Sequence, residues 1–245
     1  MTAVGEALVT MRALPHGGLS DILRGETPIV LAPHPDDEVI GCGALLAAAA
    51  RSGIDPVIVF VTDGSGSHPN SRIFSRDDLA TLRQREACAA AHLLGVSLAR
   101  VHFMGLRDSA APHDGPALTD AVGGIVRAIE RYDNPVILAP WEHDPHRDHW
   151  AVCKMARHVA RCFAARHLSY VVWGWALPDH YDLGCVEISG WRFRGDATRA
   201  DKSHALRAYK SQTSDLIHDD PSAFRLSPAA FTVLLSEDEV FLDNP

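Results

Sequence analysis

The apolar positions of this chain fall into short unbroken runs, separated by longer stretches whose apolar residues recur at helical spacing. Residues 28–32 (PIVLA) and 56–62 (PVIVFVT) are such runs. Apolar runs without polar alternation belong to strands buried on both faces of a parallel sheet. Residues 100–104, 136–139 and 169–175 read as three further strands. Between them, 38–52 predicts an alanine-rich helix stopped by Gly53. Residues 77–94 predict a long helix capped by Asp77 or Asp78 and stopped by Gly95, and 118–131 and 149–166 predict two more. Strand and helix alternate through short links. That alternation predicts an α/β fold, a Rossmann-like open and mostly parallel sheet with helices on both faces.

The flanks break the pattern. Residues 1–27, with Pro15, Gly17, Gly18 and Gly25, read as an irregular N-terminal arm. Toward the end, 186–193 suggests one arm of a hairpin and 196–211 a helix, while 212–245 is polar with short apolar runs. The expected organisation is a single domain over 1–245: the arm at 1–27, an α/β core at 28–175 and a C-terminal elaboration at 176–245.

Composition narrows the function classes. At 245 residues the chain is long enough for one full core, and 47% apolar with 22% charged residues is ordinary for a globular enzyme. A formal net charge of −8 gives no general attraction to nucleic acid. The basic stretch at 161–166 reads as a solvated helix face. The longest apolar stretch, 44–50, falls far short of the ~18 residues of a membrane span. Glu6 and Arg12 interrupt the beginning, so it does not read as a signal peptide. The five cysteines are odd in number and include no Cys-x-x-Cys pair, which argues against a disulfide framework and a thiolate metal site. Cys42, Cys88 and Cys153 read as small apolar fillers. A cytoplasmic, reduced protein is expected, with a homo-oligomer left open.

Chemistry concentrates at two strand exits, where open α/β sheets bind their ligands. After the first strand comes His34-Pro35-Asp36-Asp37-Glu38, and after the fourth His143-Asp144-Pro145-His146-Arg147-Asp148-His149. His34 and Asp37 can turn inward from one tight turn, leaving Asp36 unligated between them. Joined by His149, they form a His-Asp-His set with an open position, which suits catalytic Zn2+ and also iron(II) or another divalent metal. Either cluster alone has a plainer reading, a helix start or a solvated loop; two at one sheet edge do not.

Beyond these clusters lie Val61-Thr62-Asp63-Gly64 after the second strand, Arg83-x-x-Glu86 with Ala90 and Leu94-Gly95, and Lys202-x-x-Ala205-Leu206 followed by Ser211-Gln212. Together the motifs resemble the N-acetylglucosaminyl-phosphatidylinositol deacetylase (PIG-L) family, which includes the bacterial LmbE-like proteins and the deacetylases of mycothiol and bacillithiol biosynthesis. The resemblance covers roughly 28–212. It implies zinc on His34, Asp37 and His149, and Asp36 as general base. It also implies His146 as the residue that stabilises the oxyanion or protonates the leaving amine, with Asp148 orienting it. Arg147 stands where the family motif usually has proline; no ligand is lost.

Substrate-side candidates are Asp108, which could accept from sugar hydroxyls or cap its own loop, Arg83 in preference to Arg85, and Asp63 and Asp144. Trp141, Trp173 and Trp175 lie near strand ends, where stacking on a sugar and core packing are both open. His92, His158, His167, His204 and His218 read as ordinary surface or helix residues. The activity that the resemblance implies is removal of an N-acetyl group from a small GlcNAc-like amino-sugar substrate. A metal-dependent amidase or esterase on a larger conjugate is the alternative, with a non-catalytic metal- or sugar-binding protein behind it.

Overall fold

The computed structural model describes residues 2–244. Along the chain, α1 (Val4–Ala13) and α2 (Leu19–Leu23) precede β1 (Thr27–Ala32), α3 (Asp37–Arg51), β2 (Val57–Thr62) and α4 (Arg76–Leu93). Then come β3 (Val101–Leu106), α5 (Gly115–Ile129), β4 (Pro135–Pro140), α6 (Arg147–Phe163) and β5 (Arg166–Tyr170). The C-terminal part adds β6 (Gly190–Phe193), α7 (Arg199–Ala208), α8 (Lys210–Thr213), α9 (Pro228–Ser236) and β7 (Glu239–Asn244). Seven strands form one sheet in the order β3-β2-β1-β4-β5-β7-β6. The first five run parallel, and β7 joins β5 and β6 in antiparallel fashion.

Why the central strands carry no polar alternation is visible in their packing. Val30, Ala32, Ile58, Phe60, Val136 and Leu138 point to one side, into a core shared with α3, α4 and α7. Ile29, Leu31, Val57, Val59, Ile137 and Ala139 point to the other, against α5 and α6. Alternate residues therefore serve two cores, and neither set can be polar. Helix α3 lies unusually close to β5: a Cβ at Gly41 would stand 2.2 Å from the Tyr170 ring. Glycine there lets Tyr170 cross beneath the helix and donate its hydroxyl to the Leu31 carbonyl at 2.9 Å.

Several sequence expectations need correction. The N-terminal arm is not irregular, because α1 buries Val4, Ala7, Leu8 and Met11 against Trp141, Val171, Val240 and Leu242. Ser75, not Asp77 or Asp78, caps α4, its hydroxyl accepting from the Asp78 N–H. Strand β5 begins at Arg166, which is anchored to the Glu26 carboxylate and to the Ile22 carbonyl at 2.7 Å. It stops at Tyr170, since the Val172 and Gly174 N–H groups turn to the Asp144 carboxylate, at 3.2 and 2.6 Å. His167, expected to be an ordinary surface or helix residue, is instead buried on that strand.

The polar tail is not a loose elaboration either. Glu239 opens β7 and accepts from the Ala44 and Leu45 N–H groups at 2.7 and 2.9 Å. Lys202 of α7 pairs with Glu239 at 2.9 Å and donates to the Ile40 carbonyl at 2.8 Å. The two charges thus occupy an N–H and a carbonyl one turn apart on α3. All five cysteines are free, with Cys42 and Cys153 buried. Among the described residues, no helix is long and apolar enough to cross a membrane.

Candidate metal centre

Each exit from the parallel strands delivers polar groups to one place. The turn after β1 brings His34, Asp36 and Asp37, and the segment after β2 brings Gly66 and Ser67. Asp108 and Ser109 follow β3, and His146, Asp148 and His149 follow β4. The first turn is held under strain: Asp36 caps α3 with φ +120°, a conformation that costs a non-glycine residue on the order of 1–3 kcal/mol. Its N–H is satisfied by Glu38 Oε2 at 3.0 Å, and its carboxylate by the Arg83 guanidinium at 3.1 Å. Arg83 also donates to the Pro35 carbonyl. Gly64, at φ +66°, leaves room for this arginine, since a Cβ there would lie 2.8 Å from Arg83 Nε.

At the centre stands Asp37 Oδ2. It accepts the His34 N–H at 3.0 Å and faces His34 Nδ1 at 3.1 Å and His149 Nε2 at 3.2 Å. His149 Nδ1 is engaged by Asp144 Oδ2 at 2.9 Å, so the Nε2 lone pair is directed at Asp37. His149 Nε2 is fully buried and has no hydrogen-bond partner. Two acceptors confronting each other out of water need a positive charge between them. The surrounding field supplies the same demand. Burial works against the imidazolium of His149, yet Asp37 and Asp144 outweigh it and raise its pKa to about 9. Burial likewise opposes a charge on His34, but Asp108, Asp148 and Asp37 hold its pKa well above the ordinary value. Asp37 itself is driven far down, because His149 and His34 overcome the cost of burial. A donor set of two imidazoles and one carboxylate that attracts protons this strongly fits a divalent metal, which displaces those protons on binding. One ring nitrogen each of His34, His146 and His149 lie within 4.8 Å of one another, as do a His34 nitrogen and oxygens of Asp108 and Asp148.

Asp36 is differently placed. It is buried beside this cluster without contacting either histidine, and burial raises its pKa to about 7 against the pull of Arg83. His146 caps α6, its Nδ1 accepting from the Asp148 N–H at 3.1 Å. Burial, then His34 and His149, lower its pKa. A neutral His146 that accepts at Nδ1 must carry its proton on Nε2, free to donate into the pocket. Arg147, in the motif's proline position, is exposed at the first residue of α6 and leaves that cap intact.

The site corrects several expected roles. The Asp148 backbone, not its carboxylate, holds His146. The carboxylate accepts from the Ser109 and Ala111 N–H groups at 2.7 and 3.2 Å and meets His34 Nε2 at 3.2 Å. Asp144 is fully buried and does not line the pocket; it orients His149 and turns the chain at Val172 and Gly174. Asp63 accepts from the Ser65 and Asp108 N–H groups, at 2.9 and 3.1 Å, and also stays out of the pocket. Asp108 does line it, with its oxygens partly taken by the Gly66 N–H at 2.9 Å and the Ser109 hydroxyl at 3.1 Å. Arg83 lines it as well, whereas Arg85 is exposed on the outer face of α4. Of the tryptophans, Trp141 is core, Trp175 packs beneath Arg12, and only Trp173 reaches the pocket.

Three lining residues come from beyond β5: Trp173, Gln212 and Phe224. The Ser211 hydroxyl donates to Glu86 Oε2 at 2.6 Å, so its oxygen can only accept from Gln212 Nε2, at 3.1 Å. That fixes the amide's orientation and leaves Gln212 Oε1 buried and unpartnered. Ser211-Gln212 was visible in the motif without a role, and nothing local in the sequence marks Phe224.

The profile of the family described as "PIG-L: GlcNAc-PI de-N-acetylase" matches residues 29–160. Diacetylchitobiose deacetylase of Thermococcus kodakarensis is 31% identical over 125 residues, which cover 49% of this chain and 44% of that protein. The aligned stretch thus spans less than half of this relative. Among solved structures, N,N'-diacetylchitobiose deacetylase from Pyrococcus horikoshii superposes with a TM-score of 0.64 at 22% identity, covering 93% of this chain and 87% of its own. The zinc-inhibited form of teicoplanin deacetylase gives 0.62 at 19%, covering 89% and 97%. At these identities the structures establish the shared fold.

Proposed function

The chain belongs to the GlcNAc-PI de-N-acetylase family, and on that premise we propose that it is a zinc-dependent N-deacetylase of a GlcNAc-like amino sugar carried in a glycoside, glycolipid or other conjugate. One observation carries the reading: the buried, unpartnered His149 Nε2 faces Asp37 beside a carboxylate, Asp36, that stays outside the ligand set. His34, Asp37 and His149 would hold the metal, and such a set suits zinc. A divalent ion bound there supplies Lewis acidity, making water a better nucleophile and a carbonyl a better electrophile.

The remaining work falls to the chain's own residues. Asp36, oriented by Arg83, takes the proton of the attacking water, a contribution typically worth ~10²–10⁴-fold. The proton it gains is the one the departing amine requires. His146 donates from Nε2 to the amide oxygen as charge builds there, and losing one such donor costs about 3–4 kcal/mol. Gln212 Oε1 accepts from a substrate hydroxyl or N–H. Asp108 keeps lone pairs for a second such bond. A cytoplasmic setting belongs to the same proposal.

The test is a panel of N-acyl amino sugars incubated with zinc-loaded protein and assayed for both products. Equal amounts of free amine and carboxylate are expected. No amine from any member, with carboxylate released instead from an O-acetylated sugar, would identify an esterase and overturn the proposal. Replacing Asp36→Asn should leave zinc content unchanged while turnover falls by ~10²–10⁴-fold; full turnover in that variant would remove Asp36 from the role of base.

A further inference from the structure

The pocket beside the candidate metal centre is small, about 190 Å³, below the ~300 Å³ at which sites for drug-sized ligands begin. It takes one sugar ring with a short acyl group. Whatever else the substrate carries must emerge at the rim, and Phe224 stands there.

Phe224 lines the pocket and is nevertheless 44% exposed. Its ring meets Trp173 edge-on, with centroids 5.4 Å apart and planes at 80°. An isolated exposed phenyl would need no explanation. This one is held by a clasp that joins distant parts of the chain. Asp219 Oδ2 accepts from the Arg72 and Ile73 N–H groups at 2.6 and 3.2 Å, and its Oδ1 from the Ser71 hydroxyl at 2.9 Å. Asp220 accepts the Asn70 N–H at 2.7 Å, and Asn70 Nδ2 donates to the Ser222 hydroxyl at 2.9 Å. The Phe224 N–H closes the clasp on the Ser67 carbonyl at 2.9 Å, and Ser67 itself lines the pocket. Fixing backbone in this way costs ~1–2 kcal/mol of entropy per residue. What the clasp delivers is a rigid aromatic face, half in water, at the mouth of a one-ring pocket. Preorganised aromatic faces of this kind bind flat apolar surfaces well, because little freedom remains to be lost.

We infer that Phe224, backed by Trp173, is a stacking platform at the mouth of the pocket for the part of the conjugate beyond the reacting sugar, selecting those that present a second ring or other flat apolar face there. The inference rests on the deacetylase reading above and deepens it.

The test is calorimetric binding of N-acetylglucosamine and of N,N'-diacetylchitobiose to zinc-loaded Asp36→Asn protein, which does not consume the ligands, alongside turnover of both by the unmodified enzyme. The disaccharide should bind about tenfold more tightly. Adding Phe224→Ala should erase that preference while the monosaccharide Kd stays within about twofold, and Phe224→Tyr should keep the preference. Asp219→Ala, which opens the clasp, should resemble Phe224→Ala. A merely structural Phe224 would instead lower Tm and weaken both ligands equally. Equal affinities in the parent protein, or a preference that survives Phe224→Ala, would overturn the platform while leaving the deacetylase reading intact. Binding and turnover of neither sugar would overturn both.

Discussion

Asp144 illustrates how far a residue's role can depend on contacts remote in sequence. Its oxygens take three donors: His149 Nδ1 and the N–H groups of Val172 and Gly174. An asparagine could serve the donors on one side only and would turn its own NH2 toward a donor on the other. Asp144→Asn should therefore weaken zinc binding by ~10–100-fold, measured by competition with a chromophoric chelator; unchanged affinity would remove Asp144 from the support of His149. The ligand candidates themselves were legible in the sequence, because His34, Asp37 and His149 sit at strand exits in compact motifs. Asp144 was not, since within its seven-residue cluster it looks like one more loop carboxylate and only β5 reveals its partners. Gln212 stands in a recognisable Ser-Gln motif that names no role, and Phe224 carries no local sign at all; both reach the pocket only through folding of the C-terminal half.

At the level of elements, the buried pair of Lys202 and Glu239 locks α7 and β7 onto α3. Breaking a buried pair leaves an uncompensated charge and typically costs 3–5 kcal/mol, as a rough guide. Lys202→Ala should lower the urea midpoint by a corresponding amount with no change in m. The double replacement Lys202→Met with Glu239→Gln should recover part of the loss, and no recovery would mean that the pair acts through something other than charge. These elements also explain where sequence reading stopped short. The central strands announced themselves through unbroken apolar runs. Strand β7 carries Glu239 inward and Asp243 and Asn244 near its end, so it reads as a polar tail until α3 and Lys202 are seen to satisfy the glutamate. Helix α1 has the regular spacing Val4, Ala7, Leu8, Met11, but its flanking Pro15, Gly17 and Gly18 drew the reading toward an arm.

The whole molecule should carry a pH signature from His167. Both ring nitrogens are buried without partners, and burial, reinforced by Arg157, lowers its pKa to about 4. In the unfolded chain the ring titrates near its ordinary value of 6.5. As pH falls, the unfolded state takes up the proton first. The contribution is fully present above about pH 6.5 and is lost as pH falls toward 4, by on the order of 2–3 kcal/mol in all. Urea unfolding at pH 7.5 and pH 5, compared between the parent and His167→Leu, isolates the term, because other titrating groups cancel between the two proteins. The variant should lose less stability on acidification; an equal loss would show that His167 finds a partner or solvent in the folded state.

The proposed chemistry requires that His34, Asp37 and His149 hold one catalytic metal ion. Metal-free protein titrated with zinc, while amine release from an N-acetyl amino sugar is followed, tests it directly. Activity should be absent at the start, rise in proportion to added zinc and level off at one equivalent, and His149→Ala should stay inactive throughout. Full activity in the metal-free protein, or a His149→Ala variant that titrates like the parent, would contradict it.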